Sequence, residues 1–184
     1  MHLIYKVLDG FSDRVGRVVC WFALAMVLIQ FTLVIMRYVY SASNFMSLST
    51  LWWQESIVYL HGSLIMFGVA YTYLHNGHVR VDIFYRDASP RRQDWTDLIG
   101  CLLFLLPVCY LIWWSALPSV MNSWRILERS QETSGIPYRY LLRTTVLVMS
   151  VLLALQALST ALKATLRLLG HQVDDPFRGE ESLD

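Results

Sequence analysis

The chain is 184 residues long and carries 15 basic and 14 acidic residues, so its near-neutral balance gives no electrostatic argument for nucleic acid as a partner. Its three cysteines are odd in number and show no CxxC spacing, which excludes the paired thiols of a membrane disulfide-exchange enzyme. The sequence contains no nucleophile elbow, P-loop or glycine-rich nucleotide motif. We therefore expect no catalysis, no cofactor and no bound metal.

The segment before residue 18 has the pattern of an amphipathic helix. Its apolar residues recur at helical spacing with charged residues between them. These apolar residues are Leu3, Ile4, Val7, Leu8, Phe11 and Val15. We expect either an interfacial helix lying in the headgroup region or an extension of the helix that follows.

Four long stretches of the sequence contain no Lys, Arg, Asp or Glu. They cover residues 18–36, 56–74, 98–118 and 144–162. At the chain's average of 16% charged residues, each would contain about three. About 20 mostly apolar residues in a helix cross a hydrocarbon layer of about 30 Å. The sequence therefore predicts an all-α integral membrane protein, a four-transmembrane-helix bundle forming one domain over residues 1–169, with a flexible cytoplasmic tail over 170–184.

Lys and Arg are unevenly distributed over the segments between these spans. With four spans, both termini lie on one side of the membrane together with the second loop. That side holds ten basic residues, against five on the other. The positive-inside tendency therefore predicts that both termini are cytoplasmic.

Paired tryptophans stand near the ends of two predicted spans. Trp52 and Trp53 directly precede the second span, and Trp113 and Trp114 lie towards the far end of the third. An indole ring is apolar but carries one polar N–H, which suits the membrane–water interface. We predict that all four are membrane-interface anchors.

Two prolines, Pro107 and Pro118, interrupt the third uncharged stretch, which continues as far as Trp124. Proline lacks the N–H that a helix interior requires, and its ring collides with the preceding turn. We therefore expect a kink or an early end in this helix, with the membrane part ending near Pro118.

Arg37 closes the first span and Glu55 opens the second, so up-and-down connectivity places both at the same membrane face. They either pair with each other or are hydrated separately at the ends of their helices.

Histidines supply a second group of candidate residues. His75 and His78, with Asp82 nearby, superficially resemble a metal site, but the sequence suggests no fourth ligand. His61 lies inside the second span, where a histidine normally has a partner. It is either a haem ligand or, in our preferred interpretation, a hydrogen-bonding group across the bundle.

Four short motifs occur in a recognisable order. They are Arg37-Tyr38-Val39, Trp53-Gln54-Glu55, His78-Val79-Arg80-Val81-Asp82 and Glu132-Thr133-Ser134-Gly135-Ile136-Pro137. In this order they resemble the small, DctQ-like membrane subunit of tripartite ATP-independent periplasmic (TRAP) transporters, over about residues 18–166. The chain departs from that pattern at Tyr138, where many members have Trp, and it lacks a frequent Pro-x-Gly at the start of the last span.

The resemblance implies a multi-pass protein of the bacterial inner membrane that has no enzymatic activity. It implies two protein partners, a large multi-span subunit and a periplasmic substrate-binding protein, together with membrane lipid. In that family the large subunit carries the substrate and sodium sites and moves like an elevator, while the small subunit is a fixed scaffold. The implied process is sodium-driven uptake of an organic acid.

The resemblance also implies that the matching motif residues make subunit-interface or structural contacts. They are Arg37, Tyr38, Glu55, His78, Arg80, Asp82, Glu132, Gly135 and Pro137. The second and fourth spans are richer in small or polar residues, and we expect them to contribute to the contact with the large subunit.

Two other functions remain open from the sequence. A small tetraspan haem or redox protein would use His61 as a ligand, and its cofactor would give a Soret band. A stand-alone homo-oligomeric channel or exporter would transport in liposomes that contain no other protein.

Overall fold

The computed structural model describes residues 2–41, 44–45, 48–78, 88–173 and 175. Within these residues the chain forms five α-helices, one π-helical turn and a two-residue β-ladder. The α-helices are α1 His2–Tyr38, α2 Thr50–Leu74, α3 Pro90–Ile99, α4 Leu106–Arg125 and α5 Arg139–Leu168. The π-helical turn Gly100–Leu105 joins α3 to α4. The strands β1 Asn44–Phe45 and β2 Leu48–Ser49 pair antiparallel, with Asn44 opposite Ser49.

Four helical segments are long and apolar enough to cross a membrane. They are Leu3–Tyr38, Thr50–Leu74, Pro90–Arg125 and Arg139–Leu168. Each contains one of the predicted spans, so the predicted all-α, four-helix membrane fold is confirmed. The first and third segments contain 36 residues each, and each corresponds to about 54 Å of helix. This length exceeds a hydrocarbon core of about 30 Å. These two helices therefore extend beyond the membrane at one or both ends.

The N-terminal segment is not a separate interfacial helix. It is the first part of α1, which runs without a break from His2 to Tyr38. The side that faces the bundle carries Tyr5, 1% exposed, and Ser12, 2% exposed, whereas the predicted apolar face stays outside, with Leu3, Val7 and Phe11 exposed at 76%, 60% and 47%. The segment is therefore an extension of the first helix, one of the two options from the sequence, and an interfacial position for its exposed apolar face stays a prediction.

Local sequence signals set several helix ends. The Ser49 hydroxyl accepts a hydrogen bond from the Trp52 N–H at 3.2 Å and caps the start of α2. Pro90 occupies the first turn of α3, as Ser89-Pro90 indicates. At the end of α5, Gly170 has a φ of +84°, and the His171 N–H donates to the Leu166 carbonyl at 3.0 Å. This is the glycine-dependent cap that ends many helices.

The third long helix does not end at Pro118, while the end of its membrane part near that residue stays a prediction. The helix passes through this residue and continues to Arg125. Its irregularity lies instead before Pro107, where the Leu106 N–H donates to the Cys101 carbonyl, five residues earlier. A widened turn of this kind relieves the collision between a proline ring and the preceding turn of a regular helix. The expected distortion is present, but at the first proline.

The last helix, α5, is the centre of the bundle. It contacts α1, α2, α3, the π-helical turn and α4. In its most apolar stretch 44% of the residues are buried, against 11% in each of the other three spans. The helices α1 and α2 also pack closely, since a Cβ at Gly16 would collide with the Tyr71 ring. The bundle is therefore α5 surrounded by the other helices.

Candidate functional site

The carboxylate of Glu55 holds the loop between α4 and α5, residues 126–138, here called loop 3. The Ser130 hydroxyl donates to one Glu55 oxygen, and the Ile136 backbone N–H donates to the other at 2.6 Å. Glu55 lies in the second turn of α2, so these bonds tie the start of α2 to a segment about eighty residues further along the chain. Bonds from two donors to an ionised carboxylate are among the stronger hydrogen bonds in proteins.

Gly135 is required where it lies because of this contact. A Cβ built at Gly135 would be 2.6 Å from both carboxylate oxygens of Glu55 and would also collide with the Ser130 hydroxyl. Beside it, the Ser49 hydroxyl donates to the Ser134 carbonyl at 3.0 Å. The start of α2 therefore holds loop 3 at two points, and we call this arrangement of Ser49, Glu55, Ser130, Gly135 and Ile136 the Glu55 clamp.

The remaining motif residues of loop 3 surround the clamp. The Glu132 N–H donates to the Ser130 hydroxyl at 3.2 Å, while the Glu132 side chain is exposed. Pro137 follows the buried Ile136 and lies two residues before α5 begins. The sequence motif thus places a backbone donor, a small residue and a chain reversal around one carboxylate.

A second carboxylate, Glu128, holds the other side of loop 3, and sequence reasoning missed it. Arg143 donates to Glu128 from two nitrogens, at 2.9 and 3.0 Å, and Arg139 approaches it at 3.5 Å. The Ser123 hydroxyl also donates to this carboxylate. The bond from Ser123, together with the charges of Arg143 and Arg139, holds the pKa of Glu128 below its ordinary value. The available signal was the group of arginines in and around loop 3, namely Arg125, Arg129, Arg139 and Arg143.

The residues at the end of the first span do not join the clamp. Arg37 is exposed, and so is Tyr38, at 79%. The pair of Arg37 with Glu55, one of two options from the sequence, is not formed, because both Glu55 oxygens face loop 3 instead.

The four predicted tryptophan anchors differ in position. Trp52 and Trp53 form an edge-to-face pair with ring centres 5.5 Å apart at the start of α2. Trp114 is 65% exposed, but α4 continues for eleven residues beyond it. At that later end Trp124 donates from its indole N–H to the Thr144 hydroxyl at 2.9 Å. The anchor role of all four tryptophans stays a prediction.

At the opposite end of the bundle, the histidines after α2 contact protein groups. The His75 Nε2 atom lies 3.4 Å from a carboxylate oxygen of Asp13 in α1. The His78 Nε2 atom lies 3.3 Å from the Val69 carbonyl. Arg80 and Asp82, both predicted motif residues, lie outside the described residues.

A buried charge network joins α1 to α5 at this end. Asp9 accepts hydrogen bonds from Gln156 at 3.0 Å and from Ser159 at 2.6 Å. Its other oxygen lies 3.1 Å from the Lys163 ammonium. The Lys163 side chain is 6% exposed and that of Asp9 13% exposed. Gln156 of α5 therefore bonds across to α1, and its partner is a carboxylate.

The network continues to α3 and to the chain beyond α5. Asp175 lies 3.4 Å from Lys163 and also pairs with Arg167. Arg167 in turn lies 3.4 Å from Asp94 in α3. The described part of the C-terminal tail is therefore tied to the bundle at Asp175. We call Asp9, Lys163, Asp175, Arg167 and Asp94 the terminal network.

At this end of the bundle, acidic and basic side chains differ in their exposure. Among the residues that the structure describes here, Asp9, Asp94 and Asp175 face inward, whereas the exposed charged side chains are mainly arginines. These arginines are Arg14, Arg17, Arg91 and Arg92. Trp21 and Trp95 each follow an exposed arginine by four residues and are 69% and 50% exposed. This end of the bundle thus presents cations to its surroundings, with indole rings one helical turn nearer the membrane.

His61 does not bond across the bundle. It is exposed on the outer side of α2. The preferred interpretation from the sequence is therefore wrong, because position 61 faces away from α1 and α5.

One apolar cavity of about 140 Å³ lies between α1 and the start of α2. It is lined by Leu28, Ile29, Thr32, Leu33 and Trp53. Its hydroxyl, that of Thr32, already donates to the Leu28 carbonyl at 2.8 Å. Because the lining contains no charged side chain to pair with a carboxylate, the cavity is not suited to binding an organic acid.

Comparison with known proteins gives one family. The model described as "Tripartite ATP-independent periplasmic transporters, DctQ component" matches residues 26–167. This range contains both carboxylates that hold loop 3 and most of α5. No curated protein and no solved structure matches the chain.

Proposed function

Because the chain belongs to the DctQ component family of tripartite ATP-independent periplasmic transporters, we propose that it is the fixed scaffold subunit of a sodium-driven uptake system for an organic acid. In this proposal it pairs with a large multi-span subunit that carries the substrate and moves. A periplasmic binding protein delivers the substrate to the pair. The observation that carries the proposal is the family match over residues 26–167.

The geometry of the bundle supports a static role. A part that stays still while another part moves needs helices that keep their relative positions. The Glu55 clamp and Glu128 hold one end of the bundle, and the terminal network holds the other. The central helix α5 contacts all the others. These contacts favour a rigid body over one that opens and closes.

The distribution of exposed charge supports an orientation. Positively charged segments favour the cytoplasmic side of a membrane. The end that contains both termini displays Arg14, Arg17, Arg91 and Arg92, while its acids Asp9 and Asp94 are turned inward. We propose that this end is cytoplasmic in the bacterial inner membrane and that loop 3 faces the periplasm.

Reversal of charge at Glu55 tests the scaffold role. Glu55→Lys removes both acceptors of the clamp and places a cation against the Ile136 N–H, so loop 3 detaches from α2. We expect substrate uptake by cells that express all three components to fall at least about tenfold, with less large subunit retained on the tagged chain. Arg129→Glu, a reversal at an exposed position of the same loop, is the control and leaves both measurements within about twofold.

Two results would count against the proposal. One is unchanged uptake when the chain is deleted from the system. The other is purification of the wild-type chain without a large subunit under conditions that keep the bundle folded. The haem alternative is supported by no contact of His61 with the residues that the structure describes, and the ring lies on the outside of the bundle.

A further inference from the structure

The outer side of α2 carries a histidine midway along the helix. Gln54, Val58, His61, Ile65 and Gly68 follow one another at intervals of three or four residues, which places them on one face. Gln54 and His61 are exposed, as are Val58 at 57% and Ile65 at 54%. Other parts of α2 contact α1, α5 and loop 3. We call these five residues the α2 outer face.

His61 lies inside the predicted span of α2. It is five residues beyond Ser56, where the uncharged stretch 56–74 begins, and thirteen before Leu74. At about 1.5 Å per residue it is about 8 Å inside the span. Long Lys and Arg side chains reach the headgroups from such positions, but an imidazole is too short.

The imidazole has no hydrogen-bond partner among the residues that the structure describes. A neutral histidine has one N–H donor and one acceptor nitrogen, and lipid tails satisfy neither. Gln30 of α1 is also exposed and lies six residues, or about 9 Å, inside the end of its predicted span at Met36. Both side chains therefore require a partner from outside the described chain, and a glycine on the same face distinguishes His61.

Gly68, on the same face, leaves room for such a partner. A Cβ built at Gly68 meets no atom within 4 Å, so this glycine opens to the outside. By contrast, a Cβ at Gly62 would lie 3.0 Å from the Leu142 side chain of α5, so that glycine is used inside the bundle. Small residues allow the backbones of two transmembrane helices to approach closely.

We propose that the α2 outer face is the docking surface for a transmembrane helix of the large subunit. That helix crosses α2 at Gly68 and presents a hydrogen-bonding group to His61. Lipid cannot replace it, because hydrocarbon supplies no hydrogen-bond partner. This inference rests on the proposed function, from which it takes the identity of the partner.

Retention of the large subunit on the affinity-tagged full chain, after co-expression and detergent extraction, tests this surface. We expect His61→Leu and Gly68→Leu each to lower the retained amount about tenfold, the first by removing the hydrogen bond and the second by blocking close approach. His61→Gln keeps a donor and an acceptor and stays within about twofold of the wild type. The controls Gln30→Leu and Ala23→Leu make the same kinds of change at exposed positions of α1 and leave retention unchanged.

Crosslinking identifies the occupant directly. In a Cys20→Ser background, which removes the exposed cysteine, Ile65→Cys labelled with a maleimide–benzophenone photocrosslinker should crosslink to the large subunit in membranes on illumination. A product at twice the 21.3 kDa mass of the chain would mean that a second copy covers the face and would overturn the proposal. Full retention by both His61→Leu and Gly68→Leu, or equal loss in the α1 controls, would overturn it while leaving the scaffold role intact. Failure of the wild-type chain to retain any large subunit would overturn both.

Discussion

The two ends of the bundle hold their carboxylates in different ways. At the loop 3 end, Glu55 and Glu128 accept bonds from hydroxyls, a backbone N–H and arginines around an irregular segment. At the opposite end, Asp9 and Asp94 pair with basic residues on α5 in the packed interior between helices. One end uses carboxylates to shape a loop, and the other uses them to join helices.

This difference predicts unequal sensitivity to mutation. Glu128 keeps 18% of its side chain exposed, so water compensates in part when a partner is lost. Lys163 is only 6% exposed, so loss of its charge leaves unpaired carboxylates that water does not easily reach. The helix-joining end is expected to tolerate substitution less well.

The largest effect is expected at Lys163. Lys163→Met keeps the length of the side chain but leaves Asp9 and Asp175 without this partner, and breaking a buried pair costs about 3 kcal/mol or more. Thermal unfolding of the purified protein in detergent measures the loss. Arg14→Met, at an exposed position of α1, is the control. Equal melting temperatures for the two variants would contradict the buried role of the network.

A smaller effect is expected at Gly135. Gly135→Ala forces a methyl group into the space of the Glu55 oxygens, so the clamp loses at least one bond at a cost of about 1 to 3 kcal/mol. The same unfolding measurement applies, together with faster proteolysis within loop 3. Gly10→Ala on α1 has open space around it and should be neutral or slightly stabilising. A tolerated alanine at residue 135 would show that the clamp is looser than described.

The smallest effect concerns the pH response of Glu128. Its pKa in the folded chain lies below the ordinary value of 4.5, so its contribution to stability is present above that value and is lost as pH falls through the folded pKa. The melting-temperature difference between Glu128→Gln and the wild type should therefore stay constant from about pH 8 to pH 5 and shrink below about pH 4. A difference that grows on acidification would contradict the assigned sign.

Sequence reasoning singled out Glu55, Gly135 and Pro137 without predicting that they meet, and it missed the other carboxylate contacts. Glu55, Gly135 and Pro137 stand out because glycine and proline mark a chain reversal and an isolated acid stands at the start of a span. No glycine, proline or span boundary marks Glu128 in this way. Its partner Arg143 comes fifteen residues later in the chain, and only the packing of α4 against α5 brings the two side chains together. The sequence therefore indicated that loop 3 is structured without showing how many groups hold it.

The terminal network was missed for a related reason. Asp9 was assigned to the polar side of an amphipathic helix, because periodicity shows which residues share a face but not what covers that face. Lys163 lies just beyond the last uncharged stretch and has the pattern of an ordinary end-of-span cation. Only the contact of α1 with α5 brings these two charges together.

The amino-acid sequence alone indicated that the chain lies in a lipid bilayer and crosses it four times, because the hydrocarbon layer excludes charged side chains. It also indicated the family resemblance, because the short motifs follow one another in a fixed order along the chain. The tertiary structure decided which helix is central, where each carboxylate finds its donors and which side of α2 faces outward. Those features depend on the rotation of each helix about its axis and on contacts between residues far apart in the chain. A rotation of α2 would have turned His61 inward without changing a single residue, so its outward position could be read only from the packed bundle.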